Sequence, residues 1–220
     1  MGTSSAAVRD RDVSLARRAS TGDRAAQREL FAAQRAAVHH TLFRILGSNR
    51  DIEDALQDAF VEIFRALPSF RGDSSLTRWC RTIATRVAFV VISKRRPSAV
   101  SLELVAEPPA AGADVGDAAF AREAARRLYA ALGRMDAKLR IAFALVVIDG
   151  LSIAEVAELT DSSRVAVKTR VWRARRELVR RADKDAVLRT YLERAAGAGT
   201  GTETGTETKS DAEQDTEVTP

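Results

Sequence analysis

Two apolar-periodic segments with a short polar turn between them lie near the C-terminal end of the chain. They span residues 151–159 and 164–178, and the second is dense in arginine. Ser152 and Glu155 have the spacing of a capping box, which marks a helix start. Asp161 stands in the turn, where we expect a left-handed backbone that aspartate tolerates better than most residues. The pattern predicts a helix-turn-helix, whose second helix fits the DNA major groove.

The second of these helices carries an unusual density of positive charge. Residues 163–181 contain eight basic residues and one acid, Glu177. Like charges three and four residues apart repel by a few tenths of a kcal/mol per pair, so a bound polyanion would stabilise the helix. An ordinary solvated face is the alternative. The preceding turn and helix favour DNA contact.

Composition and periodicity predict an all-α fold. Alanine, leucine and arginine recur, aromatic residues make up 5%, and the hydrophobic content of 45% suffices for a core. An amphipathic stripe at helical spacing consists of Leu56, Ala59, Phe60, Ile63, Phe64 and Leu67. We expect two small helical domains joined by a flexible acidic linker.

Two changes in composition divide the chain. Residues 97–118 contain prolines, glycines and four acids but no base, which is typical of a linker. From residue 197 onward, Gly-Thr-Glu repeats cannot bury enough surface to offset chain entropy. We predict a disordered N-terminus (1–12), a helical domain (13–96), a linker (97–118), a helix-turn-helix domain (119–182), and a helical extension with a disordered acidic tail (183–220).

The residue inventory argues against an enzyme. It contains no nucleophile–base–acid set, glycine-rich phosphate loop or metal-ligand cluster, and Cys80 is the single cysteine. The neighbouring His39 and His40 diverge by about 100° on a helix and cannot share a metal, so we interpret them as incidental. We expect no cofactor and no metal. Lacking a signal sequence and an apolar run of about 18 residues, the chain is expected to be cytoplasmic without membrane insertion.

Net charge is uneven, which suggests a polyanionic partner. Residues 1–196 carry +10 and residues 197–220 carry −5, for a total of +5. One hypothesis is that the acidic tail folds over the basic helix and competes with DNA.

Two segments of the first domain allow more than one interpretation. The acidic face of the helix over residues 51–62 is either a docking surface for a basic partner or simply solvated. Phe70 and Trp79 stand among basic residues at a loop-to-helix junction. They either stack on single-stranded nucleic acid or fill the core.

Together these segments resemble bacterial RNA polymerase sigma factors of the extracytoplasmic-function (ECF) type. The resemblance covers about residues 13–182 and rests on residues 51–60 (DIEDALQDAF), 67–73 (LPSFRGD) and 167–175 (VKTRVWRAR). Family members carry sigma regions 2 and 4, joined by a linker that threads polymerase channels.

The resemblance implies core RNA polymerase, promoter DNA and an anti-sigma factor as partners. The implied polymerase-binding residues are Glu53, Asp54, Gln57 and Asp58. Melting of −10 DNA is implied for residues 70–96, through Arg71, Ser74, Ser75, Arg78, Trp79, Arg81 and Arg86. Recognition of −35 DNA is implied for residues 163–181, through Ser163, Arg164, Lys168, Thr169, Arg170 and Arg173.

Some positions depart from the family pattern. Arg86 and Val90 stand where an Asn and an Asp are usual, and Asp161 replaces the turn glycine. The −10 preference therefore need not follow the family's. The alternative function is a stand-alone helix-turn-helix regulator that binds duplex DNA without polymerase. A third alternative is a nucleic-acid-processing enzyme, which only the positive charge of residues 1–196 favours.

Overall fold

The computed structural model describes residues 3–47, 52–94 and 115–198, and within these ranges the chain forms helices and no strands. The predicted all-α fold is confirmed. The helices are α1 (Thr3–Ser20), α2 (Arg24–Leu46), α3 (Ile52–Ala66), α4 (Leu76–Lys94), α5 (Val115–Leu132), α6 (Ala137–Phe143), α7 (Ile153–Leu159), α8 (Arg164–Ala182) and α9 (Ala186–Ala198). A 3-10 turn, Leu67–Ser69, follows α3, and a π-helical turn, Ala144–Ile148, continues α6.

Local signals set the helix boundaries where the sequence indicates them. Asp23 accepts hydrogen bonds from the first backbone amides of α2, and Gly47 ends that helix with a left-handed φ of 65°. Ser152 and Glu155 form the predicted capping box of α7. Asp161 has a φ of 48° in the turn before α8, so the predicted left-handed residue is confirmed.

The first half of the molecule, α1–α4, packs around α2. Leu30 and Leu42 of α2, Ile63 of α3 and Leu76 of α4 are fully buried between these helices. The amphipathic stripe of α3 faces this core, with Phe64 half-buried at its edge.

The expectation of a disordered N-terminus was wrong for residues 3–12. Helix α1 begins at Thr3 and buries Leu15, Ala16 and Ala19 farther along. The Asp12 carboxylate accepts the Leu76 amide at 2.8 Å and so caps the first turn of α4. Tertiary contact therefore stabilises a helix whose first two turns lack a strong apolar stripe.

The second half comprises α5–α9, and its inner faces meet in a separate apolar cluster. Leu132, Phe143, Leu178 and Leu188 are buried in this cluster. Helix α5 begins at Val115, three residues before the predicted end of the linker, and α9 forms the predicted helical extension. The rest of the linker and the acidic tail lie outside the described residues.

The two halves pack directly on each other, which the domain prediction did not include. Ile141, Leu145 and Val156 of the second half belong to the same buried cluster as the core of the first half. Apolar contact continues across the junction where residues 141–159 meet α2 and α4. The described part of the chain is therefore one packed body.

Polar groups of the second half also cap the C-terminal end of α2. The guanidinium of Arg140, which is 3% exposed, donates to the carbonyl oxygens of Ile45 at 2.9 Å and Leu46 at 2.6 Å. The Tyr129 hydroxyl donates to the Arg44 carbonyl at 3.0 Å. These carbonyls have no partner inside α2, so the contact between halves completes a helix terminus.

Candidate nucleic-acid and protein interfaces

Helix α8 has one buried face and one basic face. Val167, Val171, Ala174 and Leu178 are buried. Most of the other side chains point away from the core, and the exposed ones include Arg164, Lys168, Thr169, Arg173, Arg175, Arg176 and Arg180. Because α7 and the turn hold its first residues at the surface, α8 presents its N-terminal half to solvent.

The six predicted −35 residues divide into exposed and internally bonded side chains. Arg164, Lys168, Thr169 and Arg173 are exposed. The Ser163 hydroxyl accepts the Ala166 amide at 3.1 Å and so caps α8. Half-buried Arg170 donates to the Ser162 hydroxyl at 2.9 Å, which braces the turn. The four exposed side chains can therefore reach a ligand without breaking a hydrogen bond that stabilises the helix-turn-helix.

Trp172 belongs to the same surface and was missed in the sequence analysis. Its side chain is 57% exposed, and the Arg176 guanidinium lies 5.3 Å from its ring centroid. The signal was present, because Trp172 lies three and four residues after Thr169 and Lys168 and hence on their face of the helix. A large apolar side chain that is exposed among arginine and lysine side chains is a candidate contact for a thymine methyl group.

The predicted polymerase-binding residues form an exposed acidic face on α3. Glu53, Asp54, Gln57 and Asp58 are all exposed, and Glu53 and Asp54 lie in the first turn, where negative charge is favourable. Helical spacing places Asp58 directly beyond Asp54 along one edge.

A groove of about 730 Å³ separates this acidic edge from α4. One wall carries Asp54 and Asp58 of α3, and the other carries Arg86 and Lys94 of α4 together with Ile83. The groove could not be predicted from the sequence, because its two walls come from different helices.

The loop-to-helix junction before α4 combines a packed aromatic pair with open polar residues. The rings of Phe70 and Trp79 lie 5.4 Å apart, and both are half-buried against the core. For these two residues the structure favours core packing over base stacking. Arg71 and Ser75 are exposed, Ser74 is half-buried, and the Ser75 hydroxyl accepts the Arg78 amide at 3.2 Å.

Two of the predicted −10 arginines face the second half of the molecule. Arg78 forms an ion pair with Glu158 of α7. Arg81 donates to the Asp149 carboxylate at 2.5 Å and to the Thr41 hydroxyl at 3.0 Å. Arg86 is exposed and lines the groove beside α3. Within the predicted −10 set, Arg71 and Arg86 are the arginines open to solvent.

The interpretation of both histidines as incidental was wrong for His40. Its Nε2 atom lies 2.6 Å from the second oxygen of Asp149, so it shares that carboxylate with Arg81. Sequence spacing carried no sign of this, since the partners are 109 positions apart. His39 instead stacks on Phe43. Among the described residues, no group of three or more His, Cys, Asp or Glu is placed to hold a metal ion.

Burial suppresses ionisation of two groups near these surfaces. It raises the pKa of Tyr129 to about 12, so the hydroxyl stays a hydrogen-bond donor toward α2. It likewise raises the pKa of the Cys80 thiol to about 12, which leaves little thiolate at neutral pH.

No helix in the described ranges is both long and apolar enough to span a bilayer.

Comparison with known proteins gives both halves a counterpart. Two family models match: Sigma-70 region 2 over residues 30–97 and Sigma-70, region 4 over residues 125–178. The ECF RNA polymerase sigma-E factor of Escherichia coli K12 is 30% identical over 173 residues, which cover 74% of this chain and 90% of that protein.

Two solved structures are also similar. CnrH in complex with the cytosolic domain of CnrY has a TM-score of 0.54 and 26% identity, and the match covers 79% of this chain and 98% of that chain. The sigma factor RpoE from Bartonella quintana, solved with the anti-sigma factor NepR, has a TM-score of 0.50 and 24% identity, covering 72% of this chain and 97% of its own. The second likeness supports the fold.

The candidate surfaces lie within these matches, with α3 and α4 inside region 2 and α7 and most of α8 inside region 4. A stand-alone helix-turn-helix regulator does not account for the region 2 half, so that alternative is not favoured. The chain belongs to the ECF sigma factors of bacterial RNA polymerase, and its function is promoter recognition in transcription initiation.

Proposed function

We propose that three surfaces of this sigma factor divide promoter recognition and polymerase binding between them. Helix α3 binds core RNA polymerase through Glu53, Asp54, Gln57 and Asp58. The segment 70–96 captures −10 DNA, and α8 reads the −35 element. The observation that carries the assignment is the exposed basic N-terminal half of α8, held by a capped helix-turn-helix.

The α8 surface supplies both charge and sequence readout. Arg164, Lys168 and Arg173 provide cations that neutralise phosphates or bind guanine edges. Thr169 and Trp172 offer a methyl group and a ring for thymine. Ser163 and Arg170 position the helix instead of contacting DNA, because Ser163 caps α8 and Arg170 stabilises the turn before it.

The acidic face of α3 suits a basic partner. Four polar side chains are exposed on one side of a helix whose other side is buried, so they cannot contribute to the core. Complementary charge raises the association rate and selects the partner. The mixed-charge groove beside α3 extends the surface available to that partner.

The −10 surface consists of the Arg71–Ser75 loop and the exposed or ion-paired arginines of α4. Phe70 and Trp79 fix the loop by packing on each other, so we assign Trp79 a positioning role. Arg78 and Arg81 bind DNA phosphates only after they leave Glu158 and Asp149.

An anti-sigma factor is the third proposed partner. CnrH was solved with the cytosolic domain of CnrY, and RpoE with NepR, so both similar structures hold a second protein. A partner of this kind must compete with core polymerase. Its test is displacement of the sigma factor from the holoenzyme by the purified candidate.

The first experiment is gel filtration of the purified protein with host core RNA polymerase. Wild type should co-elute stoichiometrically, and Asp58→Arg should reduce the complex because it places a cation in the acidic face. Glu193→Arg, a charge reversal at an exposed position of α9, is the matched control and should co-elute normally. Arg173→Ala should also co-elute but lose promoter binding.

The outcomes separate the functions. Failure of the wild type to bind core polymerase overturns the polymerase assignment. Equal loss of binding in Asp58→Arg and Glu193→Arg places the polymerase surface elsewhere. Loss of core binding in Arg173→Ala contradicts the division of labour between α3 and α8.

A further inference from the structure

Helix α1 lies outside the region 2 match, which begins at residue 30, yet it contacts the loop that we propose for −10 DNA. Residues 71–75, all of them in the described part of the chain, have no regular secondary structure. Loops are more mobile than helices unless contacts with the rest of the molecule fix them. The packed rings of Phe70 and Trp79 fix the beginning of this loop. Two side chains of α1 contact its middle and its end.

Asp12 of α1 fixes the end of the loop. Its half-buried carboxylate accepts the amide of Leu76, the first residue of α4, at 2.8 Å. The first amides of a helix have no partner inside that helix, so a carboxylate from another segment satisfies this donor and places the helix start. Ser75, the last residue of the loop, accepts the Arg78 and Trp79 amides. The capping of α4 is therefore shared between the loop and α1.

Val13 of α1 contacts the middle of the loop. Gly72 is buried there and has a φ of 78°, a conformation that residues with a side chain rarely adopt. A Cβ atom at this position would lie 2.6 Å from Val13 Cγ2, which is too close unless one of the two segments shifts. The glycine therefore lets the loop backbone lie directly against α1.

Helix α1 is itself anchored to the first half of the molecule. Leu15, Ala16 and Ala19 are buried and belong to the apolar core of that half. The Gln27 side chain donates to the Ala19 carbonyl at 3.1 Å, which joins the end of α1 to α2. Asp12 lies three and four residues before Leu15 and Ala16 and hence on their side of the helix. Packing of α1 on the core therefore fixes the position of the carboxylate.

We propose that α1 positions the −10 loop, so that Asp12 and Val13 determine how well the loop discriminates between single-stranded DNA sequences. Both are positioning residues, since Asp12 acts through the Leu76 amide and Val13 through the Gly72 backbone. Recognition groups must be held within about 0.5 Å of their productive positions, whereas contacts to phosphates carry no sequence information. A displaced loop should therefore lose sequence preference before it loses general affinity. This inference rests on the proposed assignment of the loop to −10 DNA.

The test uses holoenzyme reconstituted from the full-length chain and host core RNA polymerase. The probe is a short fluorescein-labelled single strand that the wild-type holoenzyme has selected from a fully randomised pool. The comparison strand has the same bases in scrambled order, and anisotropy measures the affinity for each strand. The ratio of the two affinities gives the discrimination. A smaller fraction of folded protein reduces binding to both strands equally, so the ratio separates positioning from simple destabilisation.

Variants of Asp12 test the cap. Asp12→Ala should lower the affinity for the selected strand about fivefold, which corresponds to about 1 kcal/mol for one lost cap, and should leave the scrambled strand unaffected. Asp12→Asn keeps an oxygen that accepts the Leu76 amide and should restore most of the ratio. Asp10→Ala is the matched control and should equal wild type, because this exposed acid of α1 points about 200° away from Asp12.

A double-mutant cycle tests the contact between Val13 and Gly72. Val13→Ala should reduce the ratio about twofold, because it removes the methyl group that contacts the loop. Gly72→Ala should reduce it about tenfold, because its Cβ atom is strained and needs the space of Val13 Cγ2. Val13→Ala frees that space, so the double variant should discriminate better than Gly72→Ala alone.

Three results would overturn the proposal. An unchanged ratio in Asp12→Ala means that α1 does not position the loop. Equal losses in Asp12→Ala and Asp12→Asn mean that the charge of Asp12 matters and its capping hydrogen bond does not. Equal ratios for Gly72→Ala and the double variant mean that Val13 does not fix the loop.

Arg71→Ala keeps this inference apart from the proposed function. Arg71 is exposed in the same loop, and its removal should weaken binding of the selected strand if the loop binds −10 DNA. Normal binding by Arg71→Ala, or a wild-type holoenzyme that selects no strand, contradicts the −10 assignment and the inference that rests on it. Weaker binding by Arg71→Ala together with an unchanged ratio in Asp12→Ala contradicts only the role of α1.

Discussion

Helices α4 and α8 are both basic, yet the molecule treats their charges differently. Arg78 and Arg81 of α4 are paired with acids from the other half of the chain. Arg164, Lys168 and Arg173 of α8 are exposed. The surface that we propose for −35 DNA is thus open, whereas two of the four arginines that we propose for −10 DNA are paired within the chain. The availability of a basic helix to a ligand therefore depends on what the rest of the chain packs against it.

Removal of the buried arginine at the junction should disturb the packing of the two halves most strongly. We expect Arg140→Ala to lower the free energy of unfolding by about 3 kcal/mol, because the Ile45 and Leu46 carbonyls lose charge-assisted hydrogen bonds. Urea unfolding monitored by circular dichroism measures the loss. The exposed Arg180→Ala on α8 is the control and should change stability by less than about 0.5 kcal/mol. Equal midpoints for both variants would mean that the junction adds nothing to folding.

The next test loosens the same junction with pH. The folded-state pKa of Tyr129 is raised by burial from 10.0 to about 12, so the stability that its neutral form contributes is complete below pH 10 and is lost as pH rises toward 12. Wild type should lose on the order of 2 kcal/mol more than Tyr129→Phe across this window. Urea unfolding at pH 9 and pH 11.5 measures the difference.

The comparison of two variants isolates Tyr129 from other groups. The pKa of Cys80 is also raised to about 12, but this thiol is present in both proteins and cancels. Parallel loss of stability in wild type and Tyr129→Phe would show that ionisation of this hydroxyl is not linked to folding.

The sequence predicted the features that depend on neighbours along the chain. The capping residue Ser152, the left-handed Asp161 and the buried stripe of α3 all follow from local spacing. The acidic face of α3 and the basic face of α8 follow from the same periodicity, because a residue outside the buried stripe must face outward.

Features that join distant parts of the chain could not be read in this way. Asp12 caps α4 from 64 positions away, and Asp149 meets His40 over 109 positions. Sequence periodicity does not identify the distant residue that a single polar side chain contacts. The packing of region 2 on region 4 depends on such contacts, so the pairing of Arg78 and Arg81 with acids was not predicted either. Trp172 is a different case, because helical spacing alone places it on the basic face of α8, so it could have been predicted from the sequence.

Removal of the acidic tail should have a smaller effect, and it tests whether α8 is as accessible to DNA as its exposed side chains indicate. Residues 199–220 contain six acids and one lysine, and the part of the chain described by the structure ends at the preceding residue, Ala198. Deletion of this tail should raise the affinity of the free protein for duplex DNA severalfold at low salt, where charges act over about 30 Å. The gain should vanish as salt shortens that range to a few ångströms. A tail of equal length with its acids replaced by amides is the control and should reproduce the deletion. If both match wild type at all salt concentrations, the tail does not screen α8, and α8 remains more open to DNA than α4. If both bind more tightly, acids of this chain reduce DNA binding at α8 as well as pairing with arginines of α4.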